Sequence, residues 1–321
     1  MKKIFYLLIV AGLFMGTSCS KEWTKELYMQ EVSFVRSGVT LVYPKYQSAG
    51  GSVTMRVPVV LSGSTTNGED IQVTIAIDRD SLNALNFERF RLREDLYFRE
   101  LPEANYTFES MTTTIPAGSI QGYFNLTLKL EGLDLVDKYM LPLKIVSTSK
   151  SNVSTRRWFS RTLMHIVPFN DFSGKYSNAG LIWNRDVAEN NQTALTTPHR
   201  NAWVVDERTV FFYAGNIDEE AYDRRKYKVY ATFNADSTVS LRADDPAIHF
   251  SHRAGSYTSQ KEPDGVLPYL EITRITMNLE YWYSDITNPS FPINYRFVGP
   301  LTMERRRNTQ IPEEDSQVLF E

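Results

Sequence analysis

The chain has 321 residues, with 35 Lys and Arg against 38 Asp and Glu and a formal net charge of −3. That near balance supplies no basic face of the kind a nucleic-acid partner needs, so none is expected. The single cysteine, Cys19, excludes an internal disulfide framework.

Lys2 and Lys3 precede an almost unbroken apolar run from Ile4 to Met15. A run of about 12 residues suits a signal-peptide core and falls short of the ~20 that span a bilayer. Gly16, Thr17 and Ser18 lead into Cys19, a pattern similar to a lipobox, with Gly16 where a large aliphatic residue is usual. The reading is a lipoprotein signal peptide over residues 1–18, lipidation at Cys19, and an anchor and tether over residues 19–30. Each buried acyl CH₂ contributes ~0.8 kcal/mol, so several chains hold a protein to a membrane where one would not. Ser20-Lys21-Glu22 resembles, in part, the charged surface-export signal of Bacteroidetes lipoproteins, which implies the outer membrane and its cell-surface side.

Beyond the tether, period-two alternation dominates, the pattern of half-buried strands. Val53, Met55, Val57, Val59 and Leu61 form one stripe; Ile71, Val73, Ile75 and Ile77 another; Phe124, Leu126, Leu128 and Leu130 a third. Pro58 and Pro142 lack the N–H of a ladder residue and predict local edges or bulges. A short helix is expected over Asp80–Phe87 and another over Ile217–Arg225. Short strands at this spacing predict an immunoglobulin-like β-sandwich over residues 31–168. Residues 169–308 are again strand-rich, with Ile275, Met277, Leu279, Tyr281 and Tyr283 alternating with Thr276, Asn278, Glu280 and Trp282. The opening Phe172-Ser173-Gly174-Lys175-Tyr176 resembles the first strand of lipocalin-like barrels. The fold class is all-β, with the second half a barrel or a second sandwich. Residues 309–321 read as a flexible tail.

Several segments together resemble lipoproteins of Bacteroidetes polysaccharide-utilisation loci. They are Asp78-Arg79-Asp80 with Asn86, Leu101-Pro102 with Tyr106, Ile115-Pro116-Ala117-Gly118, and Lys138-Tyr139-Met140-Leu141-Pro142-Leu143. These match, over about residues 32–167, an N-terminal β-sandwich long catalogued as a domain of unknown function. Tyr281-Trp282-Tyr283-Ser284-Asp285 and Tyr295 with Gly299 resemble a second uncharacterised β domain. The resemblance implies polysaccharide or oligosaccharide capture beside an outer-membrane importer, and it brings no catalytic residues.

Chemistry requiring precise constellations finds little support. A glycosidase needs two facing carboxylates, and the suggestive acids near Trp282 are Glu280 and Asp285. His249 and His252 stand three apart, which on a strand places them on opposite faces. No metal, cofactor or catalytic residue is assigned. Sugar binding asks for less: an aromatic platform and a few polar anchors. Trp183 has Asn184, Arg185 and Asp186 beside it, and Trp282 shares a strand face with Asn278 and Glu280. The candidate glycan-binding residues are Trp183, Arg185, Asn278, Tyr281 and Trp282. The bland alternative is that these tryptophans fill a core or a domain interface, as Trp158 and Trp203 are expected to do. The function read from the sequence is non-catalytic glycan binding at the cell surface. A structural or adhesive lipoprotein and a weak or accessory hydrolase are the alternatives.

Overall fold

The computed structural model describes residues 26–47, 51–156 and 158–317. Cys19 and the segment around it lie outside the described residues.

The first half contains β1 (Glu31–Phe34), β2 (Gly38–Val42), β3 (Ser52–Leu61), β4 (Ile71–Ile77), helix α1 (Arg79–Phe90), β5 (Arg99–Glu100), β6 (Tyr106–Phe108), β7 (Thr112–Ile115), β8 (Gln121–Lys129), β9 (Tyr139–Thr148), β10 (Asn152–Val153) and β11 (Arg161–Ile166). One sheet has the order β10-β1-β3-β8-β6 and the other β2-β11-β9-β4-β7, with β5 added on β9. The stripes of the sequence meet between them: Val59, Leu61, Val73, Phe124, Leu126, Leu128, Leu143 and Met164 are buried. The result is the expected sandwich.

Both prolines resolve in the same way. Pro142 stands in the central strand β9, yet β4 ends at Ile77 opposite Leu143. Pro142 O accepts from the Asp78 N–H just beyond that end. Pro58 likewise lies one residue past the point where Phe34 of β1 pairs with Val59. Each missing N–H therefore falls where no ladder bond was to be made.

Helix α1 is longer than expected. Asp78 occupies the N-cap position, Asp80 falls in the first turn, and Ser81, Leu82 and Asn86 form the buried side. The second expected helix does not form. Asp218 Oδ1 accepts from the Glu220 N–H, and turns closing at Ala221 and Arg224 follow, ending in a 3₁₀ turn over Arg224–Tyr227. A short acidic side chain that bonds its own backbone competes with helix propagation.

The second half contains β12 (Gly174–Asn178), β13 (Leu181–Asn184), β14 (His199–Val204), β15 (Thr209–Tyr213), β16 (Lys228–Phe233), β17 (Thr238–Ala243), β18 (Ser251–His252), β19 (Gly255–Pro263), β20 (Leu270–Asp285) and β21 (Ile293–Asn308). They form an antiparallel meander in which β12 and β13 share one edge of β21, and β18 and β19 share one edge of β20. Because β20 also pairs with β21, the sheet closes on itself as an eight-stranded barrel. The barrel alternative of the sequence reading is thus the one adopted. Its interior is filled by side chains: Tyr176, Phe212, Tyr281, Tyr283 and Phe297 are among the fully buried residues, with Tyr281 stacked on Phe297 at 4.9 Å. Where β12 passes into β13, Gly299 has φ +142°, and a Cβ there would stand 2.4 Å from Gly180 Cα. Only glycine fits that crossing.

The halves are joined through one contiguous apolar cluster. Phe212 faces Tyr281 inside the barrel at 6.2 Å. Its neighbours Phe211 and Tyr213 point the other way and are buried all the same. Arg224 donates to Asp95 Oδ2 at 3.2 Å and to Asp95 O at 2.6 Å. Lys228 and Arg225 both reach Asp134, and Arg225 also reaches Asp137.

The expectation of a free tail requires correction for residues 309–317. A 3₁₀ turn over Glu313–Ser316 returns to the sandwich, where Glu313 pairs with Lys45 at 2.8 Å and Asp315 with Arg36 at 3.1 Å. The Lys45–Glu313 pair is the more sheltered of the two.

Candidate binding face on the barrel

Alternation on β20 directs Ile275, Met277, Leu279, Tyr281 and Tyr283 inward and leaves Asn278, Glu280 and Trp282 outside. On β21 Phe297 and Tyr295 point inward, so Arg296 points out; on β13 Ile182 is buried, so Trp183 points out. The register joins these outward residues. Trp183 pairs with Arg296, and Arg296 pairs with Trp282. Three side chains thus form a row across three adjacent strands. With strands ~4.8 Å apart, the two tryptophan Cα atoms are separated by about 10 Å. Both indoles are half-buried.

Glu280 organises the row. Its Oε1 accepts from Arg296 Nε at 3.0 Å and Nη2 at 2.7 Å, while Oε2 accepts from Arg253 Nη1 at 3.2 Å. The Arg253 guanidinium stands 5.8 Å from the centroid of the Trp282 ring. A single carboxylate therefore holds one arginine between the tryptophans and another beside Trp282, limiting the rotamers of both.

On the other flank, Trp183, Arg185, Val187, Glu189, Gln192 and Arg296 line an open depression of about 590 Å³. The loop that shapes it is pinned at Asp186, which accepts from the Asn294 N–H at 2.7 Å and Asn294 Nδ2 at 2.9 Å. Those hydrogen bonds, the backbone one foremost, hold the Asp186 carboxyl below the usual range.

Of the residues singled out from sequence, Trp183, Arg185 and Trp282 come together on this face. Asn278 is exposed on the same side of β20, four residues from Trp282 and away from the row. Tyr281 is corrected. It is 1% exposed, its ring lies in the barrel interior, and its Oη accepts from the Gly215 N–H at 2.9 Å. A ligand on the outer face does not reach it. Glu280 and Asp285 stand five residues apart and so take opposite sides of β20; Asp285 accepts from Tyr227 Oη at 3.1 Å. They do not form a facing pair. Trp203 packs on the buried Val167 and Phe169, whereas Trp158 is 37% exposed on the sandwich. Arg296 and Arg253 were missed in the sequence, because only the register sets them beside the tryptophans.

Residues 23–149 match the model of a domain of unknown function (DUF4973), and residues 160–302 match the model of a C-terminal domain. No curated protein matches. Among solved structures, a Bacteroides ovatus protein of unknown function is 36% identical, with TM-score 0.81, covering 89% of this chain and 99% of its own. A multidomain protein including DUF1735, also from Bacteroides ovatus, is 36% identical, with TM-score 0.78 and coverage of 89% and 98%. An auxiliary nutrient binding protein from Bacteroides thetaiotaomicron is 29% identical, with TM-score 0.76 and coverage of 92% and 96%. At 36% identity over 89% of this chain and 99% of its relative, this chain belongs to the same family as the Bacteroides ovatus protein of unknown function.

Proposed function

We propose that this protein is a non-catalytic, lipid-anchored surface protein that captures glycan on the outer face of its barrel for a neighbouring outer-membrane importer. The observation that carries the reading is the row Trp183–Arg296–Trp282, two indoles on a polar outer face with an arginine fixed between them. A pyranose ring packs its C–H face on an indole, and its hydroxyls take hydrogen bonds from groups at the rim. Arg185, Glu189, Gln192 and Arg253 provide such groups. The name of the Bacteroides thetaiotaomicron relative, an auxiliary nutrient binding protein, is in keeping with a binding role. The apolar run from Ile4 to Met15, with Cys19 close behind it, supports the anchor, which would hold the barrel at the membrane from which the importer draws.

The test is a glycan array on residues 20–321, followed by affinity electrophoresis in gels carrying each hit. Trp183→Ala and Trp282→Ala are each expected to weaken retention about tenfold, the equivalent of ~1.4 kcal/mol, with the melting temperature nearly unchanged. A wild-type protein that binds nothing across the array defeats the reading. So does full retention by the double variant.

A further inference from the structure

Strand β3 has one edge that is only partly covered. β1 pairs with it at Val59, Val60 and Leu61 and then leaves; from Gly38 the chain runs as β2 beside β11 in the opposite sheet. Hydrogen bonds at the two ends of β3 show which residues face which neighbour. Leu61 N–H donates to Ile120 O, and Leu130 N–H donates to Gly51 O, so odd-numbered residues face β8. Ser62 N–H donates to Glu31 O, and Pro58 O accepts from Val35 N–H, so even-numbered residues face β1. The pairing with β8 runs without a register shift from Ser52 to Val60. Ser52, Thr54 and Arg56 therefore turn their backbone N–H and C=O groups to an edge that has no backbone partner among the described residues.

Two depressions flank this edge. On the core side a cleft of about 420 Å³ opens between the sheets, walled by Val42, Val53, Met55, Val57 and Met164, with Arg36, Glu314 and Asp315 also in its lining. Val53 and Met55 face the core yet remain partly exposed, because no strand among the described residues pairs with the edge of β3 opposite β8. On the outer side lies a polar trough lined by Thr54, Arg56, Thr107, Asn125 and Thr127. Natural sheets cover or blunt such edges, and here the only proline, Pro58, falls where β1 ends.

The geometry points to this edge as the docking site for an extended segment of a partner protein, apolar at every second residue. Such a strand satisfies the free groups of Ser52, Thr54 and Arg56. It places alternate side chains in the apolar cleft and the others over the trough. An acyl chain would fill the cleft and leave the backbone groups unpaired. Pro312 and Asp315, held by the C-terminal turn, border both depressions, so the occupant is a slim extended chain rather than the edge of a second folded copy. The site is on the sandwich and independent of the barrel face.

The probe is a short synthetic peptide with valine at every second position, threonine between and lysine at each end. Amide hydrogen exchange is followed by NMR on residues 20–321. In the free protein the amides of Thr54 and Arg56 exchange freely; with peptide they are expected to slow about tenfold or more. With Thr54→Val as the control for the hydroxyl that shares a hydrogen bond with Thr127 Oγ1 at 3.1 Å, Thr54→Pro further removes an N–H that no described backbone group accepts, in a strand that already carries Pro58, and should fold with an unchanged circular dichroism spectrum. It is expected to lower peptide affinity about tenfold, as loss of a ladder bond does. Unchanged exchange at saturating peptide overturns the proposal, as does equal affinity for Thr54→Pro. Protection already present in the free chain and lost when the chain ends at Gln317 also overturns it, because the protein's own terminus would then occupy the edge.

Discussion

Asn86 replaces a strand partner, and its removal is the most direct test of how the sandwich is held. Its Nδ2 donates to Phe98 O at 2.9 Å, and its Oδ1 accepts from the Phe98 N–H at 2.8 Å. One side chain thus satisfies both polar groups of a backbone residue outside any ladder. Asn86 is 3% exposed and Phe98 4%, with Leu82, Met140 and Leu163 clustered around Phe98. Water cannot replace the lost partner in Asn86→Ala. Each buried backbone group left unpaired costs about 1–3 kcal/mol, so the variant, with two such groups, should lose about 2–6 kcal/mol. Urea denaturation of residues 20–321, read by far-UV circular dichroism, should show a lower midpoint for the sandwich transition with an unchanged slope. Asn86→Asp sharpens the test. It keeps an acceptor for the Phe98 N–H but sets a second carboxylate oxygen against Phe98 O, so it should be at least as damaging at neutral pH. An Asn86→Ala variant within about 0.5 kcal/mol of wild type, the range of an ordinary surface change, refutes the argument.

Gly299→Ala meets both a strained φ and the Gly180 backbone, and is expected to lower the melting temperature by several degrees or to prevent closure of the barrel. Gly132→Ala, at φ +80° but facing open space, should cost only about 1 kcal/mol; equal melting temperatures for the two variants would contradict the close-approach account. His165 packs edge-on against Phe98. Burial, with Lys138 and Arg89 nearby, lowers its pKa from 6.5 to about 4. The unfolded chain therefore takes up the extra proton first as pH falls. This contribution to stability is full above about pH 6.5 and is lost progressively toward pH 4, by up to about 3 kcal/mol. His165→Gln should flatten that limb of the stability profile, measured by denaturation at stepped pH; an identical profile would exclude His165 as its source.

The two-face logic of the strands was readable in the sequence. The stripe from Ile275 to Tyr283 separated core from surface on β20, and by that same stripe Tyr281 belonged inside rather than among the ligand residues. What could not be read is what pairing alone decides. Trp183 and Trp282 meet because β21 lies between β13 and β20, and no local pattern marks Arg296 as the residue that falls between them. Lys45 and Glu313 illustrate the same limit. A polar C-terminal stretch reads as a tail unless its distant ionic partner is known. The segment from Ile217 has apolar or buried positions at helical spacing, yet Asp218 closes turns instead, a contest between side chain and backbone that periodicity does not register.

The barrel is closed where its first staves, β12 and β13, meet its last, β21, and the row of Trp183, Arg296 and Trp282 crosses that seam. A molecule lying along the row would grip both sides of the joint. Binding there would be linked thermodynamically to closure, since an opened barrel no longer presents the row. The barrel would then resist opening in proportion to ligand concentration, gaining about 2.7 kcal/mol at one hundred times the dissociation constant. Thermal shift would thus report on occupancy, and amide protection along β13 and β21 would locate it.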